Sequence, residues 1–104
     1  MKFNGLIIGR TITVTLSDSS VLLSTIVDAQ LGEGMTRTAN AVWITIEGSA
    51  GYRIAFGVDA TQTLGHAFPA QTLLRLPYPS MIAAARVANA VSAQNAVLQI
   101  TLEK

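Results

Sequence analysis

The chain has 104 residues, no cysteine and a net charge of +1, and Asp, Glu, Lys and Arg make up only 12% of it, against about 25% in ordinary soluble domains. That length supports one domain spanning 1–104 with one core, and the absence of cysteine excludes a disulfide framework and cysteine-type zinc sites, as in proteins made in a reducing cytoplasm. The near-neutral charge leaves no electrostatic footprint for nucleic acid or anionic lipid.

In chain order, Met1 to Gly9 carries a lone Lys2 and no signal-peptide core, and nowhere do about 18 apolar residues run together. The reading is a chain without a secretory leader or membrane span. Within this segment Phe3, Leu6, Ile7 and Ile8 form an apolar group, expected either as an arm or edge strand lying on a neighbouring protein or as a strand added to the domain's own sheet. Thr11, Thr13 and Thr15 then alternate with Ile12, Val14 and Leu16, the period of two of a half-buried strand. Ser17 to Ser20 favours a turn. Val21 to Val27 reads as a strand, with a helix as the alternative because its apolar spacing is also near-helical. Gly32, Glu33 and Gly34 suit a loop.

The clearest strand is Val42 to Glu47, with Val42, Ile44 and Ile46 on one side and Trp43, Thr45 and Glu47 on the other. Gly48 to Gly51 closes it. Tyr52, Ile54 and Phe56 alternate with Arg53 and Ala55 in the next segment, so the two segments are expected to form a hairpin. A polar loop, Gly57 to Gly65, leads into His66 and Phe68, and Thr72 to Leu76 reads as a short strand. Pro77 and Pro79 turn the chain, after which Ser80 is expected to cap a single helical turn through Ala83. The alanine-rich stretch 83–90 is open to either helix or strand, with a strand near Arg86 to Ala90 preferred because Val87 and Val91 are β-formers and Ser92 to Asn95 resembles a hairpin turn. Ala96 to Glu103 closes the chain as a strand. About seven short strands, with at most one helical turn near 80–85 and no βαβ alternation, predict an all-β fold: an antiparallel β-sandwich or a small barrel.

Catalytic chemistry finds little purchase. The single histidine, His66, follows Asp59 in a loop, and no serine sits in a strained Gly-x-Ser-x-Gly turn, so a structural histidine accounts for it better than a general base. The carboxylates Asp18, Asp28, Glu33, Glu47, Asp59 and Glu103 are scattered singly, which argues against a metal site. Gly32 and Gly34 begin a G-x-G pattern, but position 37 is Arg37 and no βαβ unit surrounds it, so dinucleotide binding fails. The expectation is a non-enzymatic protein with no catalytic residue, metal or cofactor. With so little charge, part of its surface is expected to meet another protein, a weakly charged monomer being the alternative. Trp43 is core if both faces of its sheet are covered, as is common in sandwiches; on an open face it is a sugar-stacking platform or an interface anchor. Tyr52 and Tyr78 complete the candidate interface set.

The alternating strand Val42 to Gly48, the aromatic-Arg strand ending Phe-Gly at Tyr52 to Gly57, and Thr63-Leu64-Gly65-His66 before an apolar segment form one pattern. It continues with Leu74 to Pro77, an isoleucine two residues after Ser80 and a closing Ala-x-Leu-Gln-Ile-Thr strand at Ala96 to Thr101. This run, roughly two thirds of the chain, resembles small virion-associated proteins of tailed bacteriophages, departing from them at Ala83 to Ala85. The resemblance implies a capsid decoration or cement protein on the particle surface, made in the bacterial host's cytoplasm, with a neck or tail component of the same virion as the nearby alternative. Its implied partners are the major capsid protein or other virion proteins, and copies of itself, a trimer being favoured. A carbohydrate-binding β-module is the alternative drawn from Trp43.

Overall fold

The computed structural model describes residues 8–69 and 72–103, with side chains from residue 11 onward. Its strands are β1 (Ile8–Thr15), β2 (Val21–Leu22), β3 (Ala41–Glu47), β4 (Tyr52–Phe56), β5 (His66–Phe68), β6 (Leu73–Leu76), β7 (Ala85–Asn89) and β8 (Val97–Glu103). Two helices interrupt them, α1 (Leu23–Leu31) and α2 (Pro79–Ala84), together with a 3₁₀ turn at Thr36–Thr38. All pairing is antiparallel, and the strands divide into two sheets of four, in the orders β1-β8-β3-β6 and β2-β7-β4-β5. The chain is thus mostly β, as expected, but the described strands form two separate sheets and no closed barrel.

The period of two that marks the strands also builds the core. Ile12 and Val14 of β1, Val42, Ile44 and Ile46 of β3 and Leu98, Ile100 and Leu102 of β8 are all buried, while the residues between them lie on the opposite face. They share one cluster with Tyr52 and Ile54 of β4, Ala85 and Val87 of β7, Leu23 and Val27 of α1 and Ile82 of α2. Both sheets and both helices therefore drain their apolar faces into a common core, as layered packing requires.

Several expectations need correction. The segment Val21 to Val27 is a strand for only two residues and then the nine-residue helix α1. Leu23, Ile26, Val27 and Leu31 recur at helical spacing, and burying Leu23 and Val27 against the core overrides the β-preference of valine and isoleucine. Gly32, at φ 127°, ends this helix with its N–H on the carbonyl of Asp28. The Asp28 carboxylate then accepts from the backbone of Gly34 and from both the N–H and hydroxyl of Thr36. With α2 this makes two helices where at most one short turn was expected. In α2 the helix begins at Pro79, whose fixed φ suits a first helical position, and Tyr78 occupies the cap; Ser80 lies inside the helix and makes no cap hydrogen bond.

The supposed hairpin of β3 and β4 does not form, because β3 pairs with β6 and β8 while β4 pairs with β5 and β7. Gly48 to Gly51 instead carries the chain from one sheet to the other. Gly51 is needed there: a Cβ on it would stand 2.5 Å from the carbonyl oxygen of Phe68, and its own carbonyl accepts from Ala90 N–H at 3.2 Å. Likewise Ser92 to Asn95 is a turn, with Gln94 N–H on the Val91 carbonyl and Ala93 at φ 64°, but it joins β7 in the second sheet to β8 in the first and is no hairpin. The strand expected near Arg86 to Ala90 is present as β7, directly after the short helix. An eighth strand, β5, arises where only the end of a loop was read.

Asn89 locks these crossings together. Fully buried, it donates from its amide to Asp18 (2.9 Å) and Asn95 (2.8 Å) and accepts from Ala96 N–H (3.0 Å). Asp18 also accepts from Ser92 and from Ala93 N–H. The bond from Asn89, then those from Ser92 and Ala93, hold the Asp18 carboxyl below its ordinary range.

Candidate interaction face

The two sheets treat their outer faces differently. On the second sheet the centre of that face is made by Arg53 and Ala55 from β4 and Arg86 and Ala88 from β7, with Ala67 of β5 and Leu22 of β2 beside them. The loop Gly57–Gly65 folds over it and packs Ala60 against Ala55 and Ala88 in a small apolar cluster of its own. Hydrogen bonds pin the loop along its length. Arg53 donates to the Gly65 carbonyl (2.7 Å), Arg86 pairs with Asp59 (2.8 Å), Ala60 N–H donates to Ser20 Oγ (3.0 Å), and the Gln62 amide reaches the carbonyls of Asp18 and Asn89. Small alanines beneath the loop allow this close approach. Alongside the exposed polar residues Asp59, Thr61 and Thr63 the loop turns two apolar ones outward: Val58 is 52% and Leu64 50% exposed, and with Phe56 they line a recess beside His66.

His66 itself lies on β5, opposite Ile54 and exposed. Asp59, the residue that would have to orient it as a base, is engaged by Arg86. Among the described residues no three His, Asp or Glu side chains gather where they could hold a metal.

Among the described residues no such loop lies over the first sheet's outer face. Strand register places its side chains in rows across the strands. Thr11, Thr101, Trp43 and Arg75 make one row, and Thr13, Gln99, Thr45 and Leu73 the next. Cross-strand hydrogen bonds knit the rows: Thr11 and Thr101 hydroxyls meet at 2.6 Å, Thr13 donates to Gln99 (3.0 Å), and Gln99 donates to Glu47 (2.8 Å). Between the rows runs a shallow groove of about 270 Å³, lined by Thr11, Trp43, Thr45, Leu73, Gln99 and Thr101. Every lining residue is uncharged.

Trp43 is half-buried at the centre of this face and is not core, so the covered-sheet expectation fails for it. The cause is local: its row neighbours are threonines and an arginine, and among the described residues no helix or loop lies over them. Its indole N–H donates to Glu103, whose same carboxylate oxygen accepts from Arg75 Nε at 2.6 Å. Glu103 is itself buried, and the hydrogen bond from Arg75, reinforced by that from Trp43, holds its carboxyl below the ordinary value against the opposing effect of burial.

The other candidate interface residues divide. Tyr52 is removed from the set: it is 1% exposed, stacks on Phe68 with ring centroids 5.4 Å apart, and burial pushes its phenol well up from the ordinary range. Its strand faces the core because Tyr52 and Ile54 share the buried side of β4. Tyr78 is 63% exposed, between Pro77 and Pro79. Ile8 opens β1, an edge strand of the first sheet, and is paired with Glu103. Phe3, Leu6 and Ile7 lie outside the described residues. Sequence reasoning missed Arg75, Glu103, Leu73 and the threonine rows; the alternation in β1, β6 and β8 was visible, but not which strands lie side by side. No family model, curated protein or solved structure matches this chain.

Proposed function

We propose that the protein is a non-enzymatic structural component of a tailed-bacteriophage particle, a β-sandwich that decorates and cements the capsid through protein–protein contacts. The observation that carries this reading is the apolar recess of Phe56, Val58 and Leu64, displayed on a loop that hydrogen bonds hold in one shape. An apolar surface on a pre-ordered loop docks without a large ordering cost, which is what a small protein spanning seams between subunits needs. The sparse charge of the chain and the resemblance of its Thr36 to Glu103 run to virion proteins support the same assignment. Self-association about a local symmetry axis, as a trimer, fits a chain with this much low-charge surface.

Attachment is tested by co-sedimentation of the chain with particles assembled from the major capsid protein of the same genome. The expected result is saturable binding that Val58→Asp and Leu64→Asp weaken at least about tenfold, as for central residues of an interface burying more than ~1,000 Å². A chain that stays in the supernatant, and is monomeric, contradicts the reading. Binding to neck or tail assemblies in place of capsids moves the protein to that part of the virion.

A further inference from the structure

Attachment through the Phe56, Val58 and Leu64 loop leaves the outer face of the first sheet unused. We infer that the groove over Trp43 is a binding site for a neutral carbohydrate chain, one pyranose ring lying against the indole and its hydroxyls meeting the threonine and glutamine side chains of the adjoining strands. This does not depend on the particle assignment.

Three features carry it. The indole is held in place: its one polar group is spent on Glu103, and Arg75 braces that carboxylate from the opposite neighbour in the row. Only the ring remains to offer a ligand, and a fixed aromatic surface binds flat, partly apolar groups with little loss of freedom. The charges also cancel. Arg75 and Glu103 neutralise each other, and Thr11, Thr45, Leu73, Gln99 and Thr101 carry none. An anionic ligand such as a phosphate would have to take Arg75 from Glu103 and strand a buried carboxylate.

The third feature separates a sugar from an apolar side chain of a protein. The groove is mainly apolar, built from the indole, Leu73 and threonine methyl groups, with a few hydroxyl and amide atoms at its rim. The Thr11 and Thr101 hydroxyls bond each other and Gln99 bonds Thr13 and Glu47, while among the described residues the Thr45 hydroxyl has no hydrogen-bond partner. An aliphatic knob would strip water from that hydroxyl and from the spare valences of Gln99 and Thr101 without replacing it. A pyranose has C–H groups on its ring faces and hydroxyls around its edge, so it satisfies both kinds of surface at once. The groove, about 270 Å³, lies just below the ~300–1,000 Å³ of drug-sized sites and suits a single sugar ring of a longer chain.

Trp43 is the sole tryptophan, so fluorescence excited selectively at tryptophan, beyond the absorption of Tyr52 and Tyr78, reports this site alone. The purified chain is titrated with maltoheptaose, cellohexaose, chitohexaose and mannohexaose up to about 10 mM, a range that captures millimolar or tighter binding. A saturable change with at least one of them is expected. By calorimetry, Trp43→Ala then weakens that binding at least about tenfold, Thr45→Val weakens it severalfold, Trp43→Phe retains part of it, and Tyr78→Ala leaves it unchanged. Should Trp43→Ala fail to fold, Thr45→Val and Trp43→Phe decide. Silence across all four oligosaccharides overturns the inference, as does binding that survives Trp43→Ala. A fluorescence change that appears with protein concentration alone and reverses on dilution also overturns it, assigning the groove to a second copy of the chain. Capsid co-sedimentation does not read Trp43, so either proposal can fail without the other.

Discussion

Trp43 and Glu103 sit diagonally across the β3–β8 pair, and the indole N–H of one donates to the carboxylate of the other, sixty positions away in the chain. Arg75, directly opposite Trp43 on β6, donates to the same oxygen. A buried carboxylate thus fastens three strands of the first sheet together and orients the single tryptophan on its outer face. The groove beside Trp43 owes its shape to this contact.

Acid should loosen it. The Glu103 and Asp18 carboxyls both titrate below their ordinary values of 4.5 and 3.8 in the folded chain. A depressed folded pKa means stability that is fully present above the unfolded value and is lost as pH falls through the folded one. Thermal unfolding is therefore expected to be flat from pH 7 to about pH 5 and to fall progressively below about pH 4.5. The double variant Glu103→Gln with Asp18→Asn should melt lower at pH 7 and show a shallower acid dependence; an unchanged acid slope refutes the assignment.

Tyr52→Phe should be neutral or stabilising. Among the described residues the buried phenol oxygen has no hydrogen-bond partner, and such a group costs about 1–3 kcal/mol to desolvate. Removing the oxygen keeps the stacking on Phe68. Urea unfolding should show a gain of about 0–1 kcal/mol, and a loss above about 1 kcal/mol would mean that the hydroxyl is bonded in solution.

Asn89→Ala should be among the most damaging single changes. It removes an amide that serves Asp18, Asn95 and Ala96 N–H together in a fully buried position. A loss of about 2–4 kcal/mol in urea unfolding is expected, the scale for breaking a buried polar network. Asn89→Asp should be no rescue, since it places a second carboxylate against Asp18.

Gly51→Ala tests the crossing between sheets. The added methyl group meets the Phe68 backbone carbonyl, which cannot yield as a flexible side chain would. A loss of about 1–3 kcal/mol is expected by denaturant unfolding. Gly48→Ala is the comparison: at φ 74° it is strained but open on all sides, so its cost should be smaller, about 1 kcal/mol.

Strand identity was largely legible because alternation is a local signal. Ile12 and Val14, Val42 to Ile46 and Leu98 to Leu102 announce both their conformation and their buried side. Partnership was not legible. Nothing near Gly48 to Gly51 distinguishes a hairpin from a passage between sheets; what decides is the approach of Gly51 to Phe68, a contact between segments distant in sequence. The helix at Leu23–Leu31 was hidden by β-branched residues whose helical spacing mattered more than their propensity. Tyr52, read as an interface residue, is core, and Trp43, for which both places were open, takes the outer face, for the same reason. One aromatic lies on the core side of its strand and the other on the open side, and only the assembled sheets show which side is which.

The most direct measurement is acrylamide quenching of the Trp43 fluorescence in the isolated chain. A tryptophan on the open face of the first sheet, held by Glu103, should emit as a partly hydrated indole, be readily quenched, and yet show the restricted rotation of a fixed side chain. Blue-shifted emission that acrylamide leaves untouched would place Trp43 inside the protein and contradict the account.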